Sequence, residues 1–439
     1  MTTVSTIALL PWGNVIEDFL DPLDISLAAF QQDMTGGWLF GYVEALKRVG
    51  IQSVLICISA QVRSPTRSIH KPTNAVIWTL PSPSAYLAIR RHMVNPYGLS
   101  AQTAFGRQSP WWIALRNIAP YLATPLRSLA KVIRQENCHA MLCQEYEYAR
   151  FDTSMWLGKR LNIPVFATFQ GGNFQVSRLE RYFRPGSIGA CAGLIIPSQR
   201  EINRVVEHYD ITQGAIAKIY NPLDIEQWRI RESAEIRDHF GIATHAQVVV
   251  WHGRVDLHRK GLDILLQAWQ ILCQNHPDQA LQLVLVGTGS DAPILQQLIH
   301  ELQLTNLHWV NDYILDQQII RSYLAAADLY VLPSRHEGFA VAPIEAMACQ
   351  LPVVATDVPG VAEAIMDGAA PGGLMVPVED PHALATAMGK LLEDDVLRLQ
   401  LAQQAYQRVQ SLFSVDAVGV QLRSYLNPAR RAFEYTQSR

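Results

Sequence analysis

Residues 328–348 read Asp328-Leu329-Tyr330-Val331-Leu332-Pro333-Ser334-Arg335-His336-Glu337-Gly338-Phe339-Ala340-Val341-Ala342-Pro343-Ile344-Glu345-Ala346-Met347-Ala348. The stretch opens with a short apolar run of the kind that forms a fully buried strand. It closes on a helical pattern with Pro343 in the first turn, where a missing N–H costs nothing. Between the two, Glu337-Gly338 permits a sharp turn. The unpaired N–H groups of such a helix start favour an anion. Glu337 in the loop and Glu345 on the helix lie eight residues apart. A carboxylate accepts two hydroxyl hydrogen bonds, which suits the vicinal diol of a sugar. The plain alternative is a surface acid and a first-turn acid favoured by the helix dipole.

Strand-loop-helix units of this kind recur outward in both directions. Residues 247–252, 281–286, 307–310, 352–355 and 374–376 read as further buried strands, with helices over 261–275, 293–302 and 317–326. The first half repeats the logic. Strands are expected at 7–10, 53–58, 75–80, 140–143, 164–169 and 193–197, and helices at 38–48, 153–161 and 199–208. Such alternation predicts two doubly wound α/β domains, with ligands at the carboxyl ends of the strands in a cleft between them. The turn Tyr220-Asn221-Pro222 marks the boundary. The expected division is 1–221, 222–413 and a final helical stretch, 414–439, that returns to the first domain.

Three other constellations carry chemistry. His252-Gly253-Arg254 and Arg259-Lys260-Gly261-Leu262-Asp263 leave a strand and enter a helix. Arg254 and Lys260 suit a diphosphate, while Arg259 is expected to be solvated; a basic loop capping a helix is the bland reading. Thr35-Gly36-Gly37-Trp38 opens a helix and permits close backbone approach to an anion, or is a plain loop. Gly287-Thr288-Gly289-Ser290, with Asp312 after the next strand, fits a dinucleotide fingerprint and so admits an NAD(P)-dependent oxidoreductase as an alternative.

In this order the motifs resemble those of retaining, GT-B-fold glycosyltransferases of the family-4 type, the glycosyl transferases group 1. Glu337 and Glu345 form the E-x7-E pair. Gly253-Arg254, Lys260-Gly261-Leu262-Asp263, Leu283 through Gly289, Pro352 through Asp357, Pro197 through Glu201 and Tyr220 through Asp224 fit as well. The resemblance implies that Glu337 holds donor-sugar hydroxyls and Glu345 the ribose. It implies that Arg254 and Lys260 bind the diphosphate with the amides of Gly338 and Phe339. Gly287 and Gly289 would border the nucleotide, Tyr313 and Ile314 its base, and Gly36 and Gly37 the phosphates. It further implies a hexose-type donor on UDP or GDP, retention of configuration and independence of metal. No cofactor would be permanently bound. A catalytically inactive relative acting as a binding subunit is the alternative that the intact motif residues oppose. Three departures stand out. Gln170 replaces a common His, which leaves Glu145 and Glu147 as acceptor-side acids or as plain strand-end residues. Gln350 replaces a helix-ending Gly. Ala340 replaces a Gly and narrows the donor pocket.

Composition supplies the remaining bounds. At 49% hydrophobic and 17% charged, the 439 residues can bury sizeable cores. The six scattered cysteines form no CxxC pair and read as reduced core thiols. Neither HExxH nor Asp-x-Asp occurs, so no metal site is expected. No secretory signal or run of 18 apolar residues is seen, and a cytoplasmic location, peripheral to a membrane at most, is the expectation. The net charge of −3 hides an acid-free stretch, 45–135, whose basic residues include Arg107, Arg116, Arg127, Lys131 and Arg134 beside Trp111 and Trp112. Three readings stay open for it: a solvated basic face, contact with an anionic membrane surface, or an anionic or lipid-linked acceptor. Nucleic-acid binding is not expected, because no stacking motif is interleaved with the charges.

Overall fold

The computed structural model describes residues 6–21, 25–34, 37–93, 110–170, 178–229, 234–314, 316–337, 340–358, 360–366 and 371–426. The chain forms two compact units, 1–221 with 418–439, and 222–417.

The first unit is built on an eight-stranded sheet. Its strands are β1 (Thr6–Leu10), β2 (Gln52–Ser59), β3 (Thr66–Ile69), β4 (Val76–Pro81), β5 (Ala140–Gln144), β6 (Val165–Thr168), β7 (Gly193–Ile195) and β8 (Ile216–Ala217). The order is β3-β4-β2-β1-β5-β6-β7-β8, parallel except for β3, which runs antiparallel on the edge. The second unit carries β9 (Gln247–His252), β10 (Leu281–Val286), β11 (Leu307–Val310), β12 (Leu329–Leu332), β13 (Val353–Thr356) and β14 (Gly373–Val376). Their order, β11-β10-β9-β12-β13-β14, is all parallel. Counted within the unit this is 3-2-1-4-5-6, the dinucleotide-fold order, whose direction of winding reverses between β9 and β12.

Burial explains why these runs become strands. β1, β5, β6, β12 and β13 are buried along their whole length, as sheets covered on both faces require. Every strand expected from sequence forms, with ends moved by at most two residues. β3 and β8 are additions. β3, Thr-Arg-Ser-Ile, is mostly exposed and has no apolar run to announce it. Four of the six cysteines are buried, whereas Cys191 and Cys273 are half-exposed.

The last helix, Val415–Tyr425, packs on the first sheet's unit. The Tyr425 hydroxyl donates to Ala215 O at 2.6 Å, and its ring meets Phe166 at 6.0 Å. A Cβ on Gly419 would lie 2.4 Å from Ala45 O, so only glycine lets this helix approach the helix Gly37–Arg48 so closely.

Gln350 ends the helix Ala342–Ala348 with φ +57, and the amide of Leu351 reaches back to Ala346 O at 3.0 Å. This is the left-handed C-terminal cap that glycine adopts without strain. Gln350→Gly should therefore stabilise the second unit by about 0.5–1 kcal/mol. Thermal unfolding would show a Tm raised by roughly 1–4 °C; an unchanged or lower Tm contradicts the strain.

Candidate active site

The reversal point of the second sheet is where β9 and β12 release their chains. After β9 comes the one-turn helix Leu257–Lys260, capped by Asp256, whose side chain accepts from Arg259 N at 3.1 Å. Gly261 follows with φ +63, and a Cβ there would sit 2.0 Å from Pro333 O. The two loops are joined again where Arg335 N donates to Arg259 O at 2.9 Å. The Arg335 guanidinium grips both oxygens of Asp263 at 2.7 and 2.8 Å, Glu379 at 2.8 Å and His258 O at 2.9 Å. Its hydrogen bonds to Asp263 and Glu379 hold its pKa above the ordinary arginine value.

This clasp brings Lys260 and Glu337 together. Lys260 Nζ donates to Glu337 Oε1 at 2.7 Å, and the buried Ser334 hydroxyl donates to the same oxygen at 2.7 Å. Glu337 is buried, and its other oxygen accepts no hydrogen bond among the described residues. A buried carboxylate with one loaded and one free oxygen can take a ligand hydroxyl without losing its counter-ion. Arg259 departs from expectation. It is half-buried rather than solvated, and its Nε is enclosed without a partner among the described residues, because its carbonyl is tied into the clasp.

Glu345 lies in the first turn of the helix after β12 and meets His252, the last residue of β9. His252 Nε2 donates to Glu345 Oε2 at 2.8 Å. Beneath them Tyr330 is fully buried. Burial pushes its phenol well above the usual range, and it feels both Glu345 and Glu337. Arg254 is exposed on the loop after β9. Burial raises the Tyr313 phenol, opposed by Arg254 and reinforced by Glu345, so Tyr313 shares their surroundings. Ile314 beside it is half-buried. Gly338 and Phe339 lie outside the described residues.

The glycines after β10 have a mechanical explanation. A Cβ on Gly287 would lie 1.9 Å from Gly253 O, and one on Gly289 would lie 2.1 Å from Val255 O. Two hydrogen bonds lock this approach, Gly253 N to Val286 O at 3.0 Å and Val255 N to Thr288 O at 2.9 Å. The dinucleotide-like spacing is thus a consequence of two loops packing backbone to backbone. Asp312, the acid of the dinucleotide-like pattern, is exposed and accepts from the Tyr313 amide at 2.7 Å.

In the first unit Glu145 and Glu147, just past the end of β5, are both buried. Glu145 accepts from Glu147 N at 3.1 Å and Gln170 N at 3.2 Å, with φ +108, a backbone state rare for a residue with a side chain. Glu147 pairs with Arg204 at 2.7 Å, and burial pushes its carboxyl up against that pull. Gln170 exchanges amide hydrogen bonds with Asn221 at 3.3 and 3.4 Å and donates to Thr168 at 2.9 Å. The reversal point of this sheet, between β1 and β5, is filled by Arg150, which donates to Pro11 O and Asn14 O at 2.6 Å each. Gly37 begins the helix Gly37–Arg48, and Gly36 lies outside the described residues.

Sequence reading did not foresee the roles of His252, Ser334, Tyr330 or the Arg335–Asp263 pair. The usable signal was a histidine ending a buried strand directly before Gly253-Arg254.

Two doubly wound parallel sheets, each with its own core, define the GT-B fold. Residues 246–394 match the model of the family Glycosyl transferases group 1. Among curated proteins the chain is 32% identical over 222 residues to the D-inositol 3-phosphate glycosyltransferase of Corynebacterium urealyticum, covering 49% of this chain and 51% of that one. It is 29% identical over 309 residues to the enzyme of the same name from Corynebacterium diphtheriae, covering 64% and 70%. The chain spans about half the length of the first curated relatives it matches. Solved structures with the same fold include sucrose-phosphate synthase from Thermosynechococcus elongatus, with TM-score 0.68, 20% identity, and 98% and 100% coverage. Anabaena HepE in complex with UDP follows, with TM-score 0.67, 16% identity, and 96% and 99% coverage.

Gly261→Ala tests the clasp. It adds a Cβ against Pro333 O and a strained φ, and should cost at least ~2 kcal/mol. A Tm within 1 °C of the parent would mean that the loops move apart freely.

Proposed function

We propose that the chain is a retaining glycosyltransferase that moves a hexose-type sugar from a UDP- or GDP-sugar to an acceptor hydroxyl. The observation that carries the reading is the Lys260–Glu337 pair at the reversal point, beside Arg254 and the second acid Glu345. As the glycosidic bond breaks, negative charge grows on the leaving nucleoside diphosphate. Lys260 and Arg254 are fixed cations for that charge, worth more in the transition state than in the ground state. Lys260 lies on Glu337, so a bound sugar on the free oxygen of Glu337 and a diphosphate on Lys260 would be held next to each other. Glu345 accepts ribose hydroxyls, and Tyr313 and Ile314 border the base. The acceptor hydroxyl attacks from the face the phosphate leaves and passes its proton to the departing phosphate oxygen. The charge comes from side chains rather than from a divalent ion.

Glu337→Ala should leave nucleoside diphosphate binding measurable and lower sugar release from the donor by at least ~100-fold, roughly 2.7 kcal/mol of barrier. Thermal shifts against UDP, GDP, ADP, NAD and NADP accompany the assay, since a ligand of the folded state raises its stability. Parental rates in the variant, or stabilisation by NAD alone, would overturn the reading.

The acceptor side is proposed to meet an anionic or lipid-linked molecule. Arg63, Lys71, Arg91, Arg127, Lys131 and Arg134 are exposed in the acid-free stretch. On the helix Pro110–Leu122 the side chains of Leu115, Ile118 and Leu122 are exposed at helical spacing, and Tyr182 and Phe183 are exposed on the helix Arg178–Ala190. The two helices are tied through Asp152, which accepts from Tyr121 at 2.8 Å and from Arg184 at 3.0 Å. No helix among the described residues is long and apolar enough to cross a membrane. An apolar stripe with cations nearby fits the surface of an anionic bilayer. The chain should sediment with vesicles containing acidic lipid and not with neutral ones, and Leu115→Glu with Ile118→Glu should abolish this. Equal, negligible sedimentation with both vesicles leaves a soluble anionic acceptor.

A further inference from the structure

We infer that His252 is a positioning residue for Glu345, holding its carboxylate so that the second oxygen faces the ribose of a bound nucleotide. The inference rests on the reading of Glu345 as a ribose contact.

The imidazole spans the reversal point of the second sheet. It ends β9, and Glu345 belongs to the helix that follows β12, the neighbouring strand. Nε2 and Oε2 are 2.8 Å apart, and the side chains are only 9% and 15% exposed. A carboxylate can only accept, so Nε2 carries the proton and donates. The ring is fixed from its other side. Tyr330 packs edge-on at 5.4 Å, and the Tyr330 hydroxyl donates to the carbonyl of His252 itself at 3.3 Å. Nδ1 is enclosed and has no partner among the described residues, so the contact with Glu345 is the one hydrogen bond that sets the ring's orientation.

Glu345 depends on this anchor. Among the described residues its carboxylate accepts no hydrogen bond other than that of His252. A glutamate has three side-chain torsions, and a ligand that must freeze them loses affinity for it. With Oε2 held by the imidazole, Oε1 is left to accept a hydroxyl in a fixed place. His252 thus acts on specificity for the sugar of the nucleotide through Glu345, without touching the ligand.

The test is isothermal titration calorimetry of the full chain with UDP and 2′-deoxy-UDP, and with GDP and 2′-deoxy-GDP. The parent should bind the better ribonucleotide at least about tenfold more tightly than its deoxy form. In His252→Leu that ratio should fall to about twofold, with the ribonucleotide itself weakened about tenfold. His252→Gln, whose amide reaches the position of Nε2, should restore the ratio. An undiminished ratio in His252→Leu overturns the inference and leaves the ribose reading standing. A parent that binds both forms equally removes Glu345 as a ribose contact and the inference with it. Should His252→Leu fail to fold, His252→Asn, whose amide stops short of Glu345, takes its place under the same criteria.

Discussion

The second unit is organised by one close contact, the backbone of Gly261 against the carbonyl of Pro333. It joins the loop after β9 to the loop after β12 at the reversal of winding. The Arg259–Arg335 backbone hydrogen bond extends it, and the Arg335 guanidinium bolts it to Asp263 and Glu379. With the loops at this separation Lys260 reaches Glu337 at 2.7 Å. A buried ion pair of this kind contributes little net stability, because desolvation offsets most of the attraction. Removing one partner is costly, however, so the pair fixes the relative position of the loops more than it stabilises the fold.

The two units solve the same topological problem differently. In the second, the reversal point is lined by groups that retain capacity, such as the oxygens of Glu337 and Glu345 that accept no hydrogen bond among the described residues, and the exposed Arg254. In the first, Arg150 stands there and donates from its two terminal nitrogens to the carbonyls of Pro11 and Asn14. Beside it, Gln170 and Asn221 clasp each other, and Glu145 and Glu147 turn inward to amides and to Arg204.

What the sequence disclosed follows from the range of the interactions involved. The strands and helices were legible because apolar runs and helical periodicity are local, whereas the order of β9 to β14 is set by pairings that no local pattern records. The E-x7-E pair was legible because both acids sit on one strand-loop-helix unit. His252 with Glu345 was not, since 93 residues separate them and no pattern couples a strand end to a helix on a neighbouring unit. The burial of Glu147 was hidden for the same reason, its partner Arg204 being 57 residues away. β3 was missed because an exposed edge strand needs no apolar run.

Gly261, Gly287 and Gly289 each surrender the space of a side chain to a neighbouring carbonyl. Their identity is therefore set by packing alone, and under the proposed function descendants of this chain could change donor entirely while keeping all three. On that reading divergence in specificity falls to positions free of the constraint, with Tyr313 and Ile314, proposed to border the base, the natural places to vary. A library built to redirect donor choice would leave the glycines untouched and spend its diversity there.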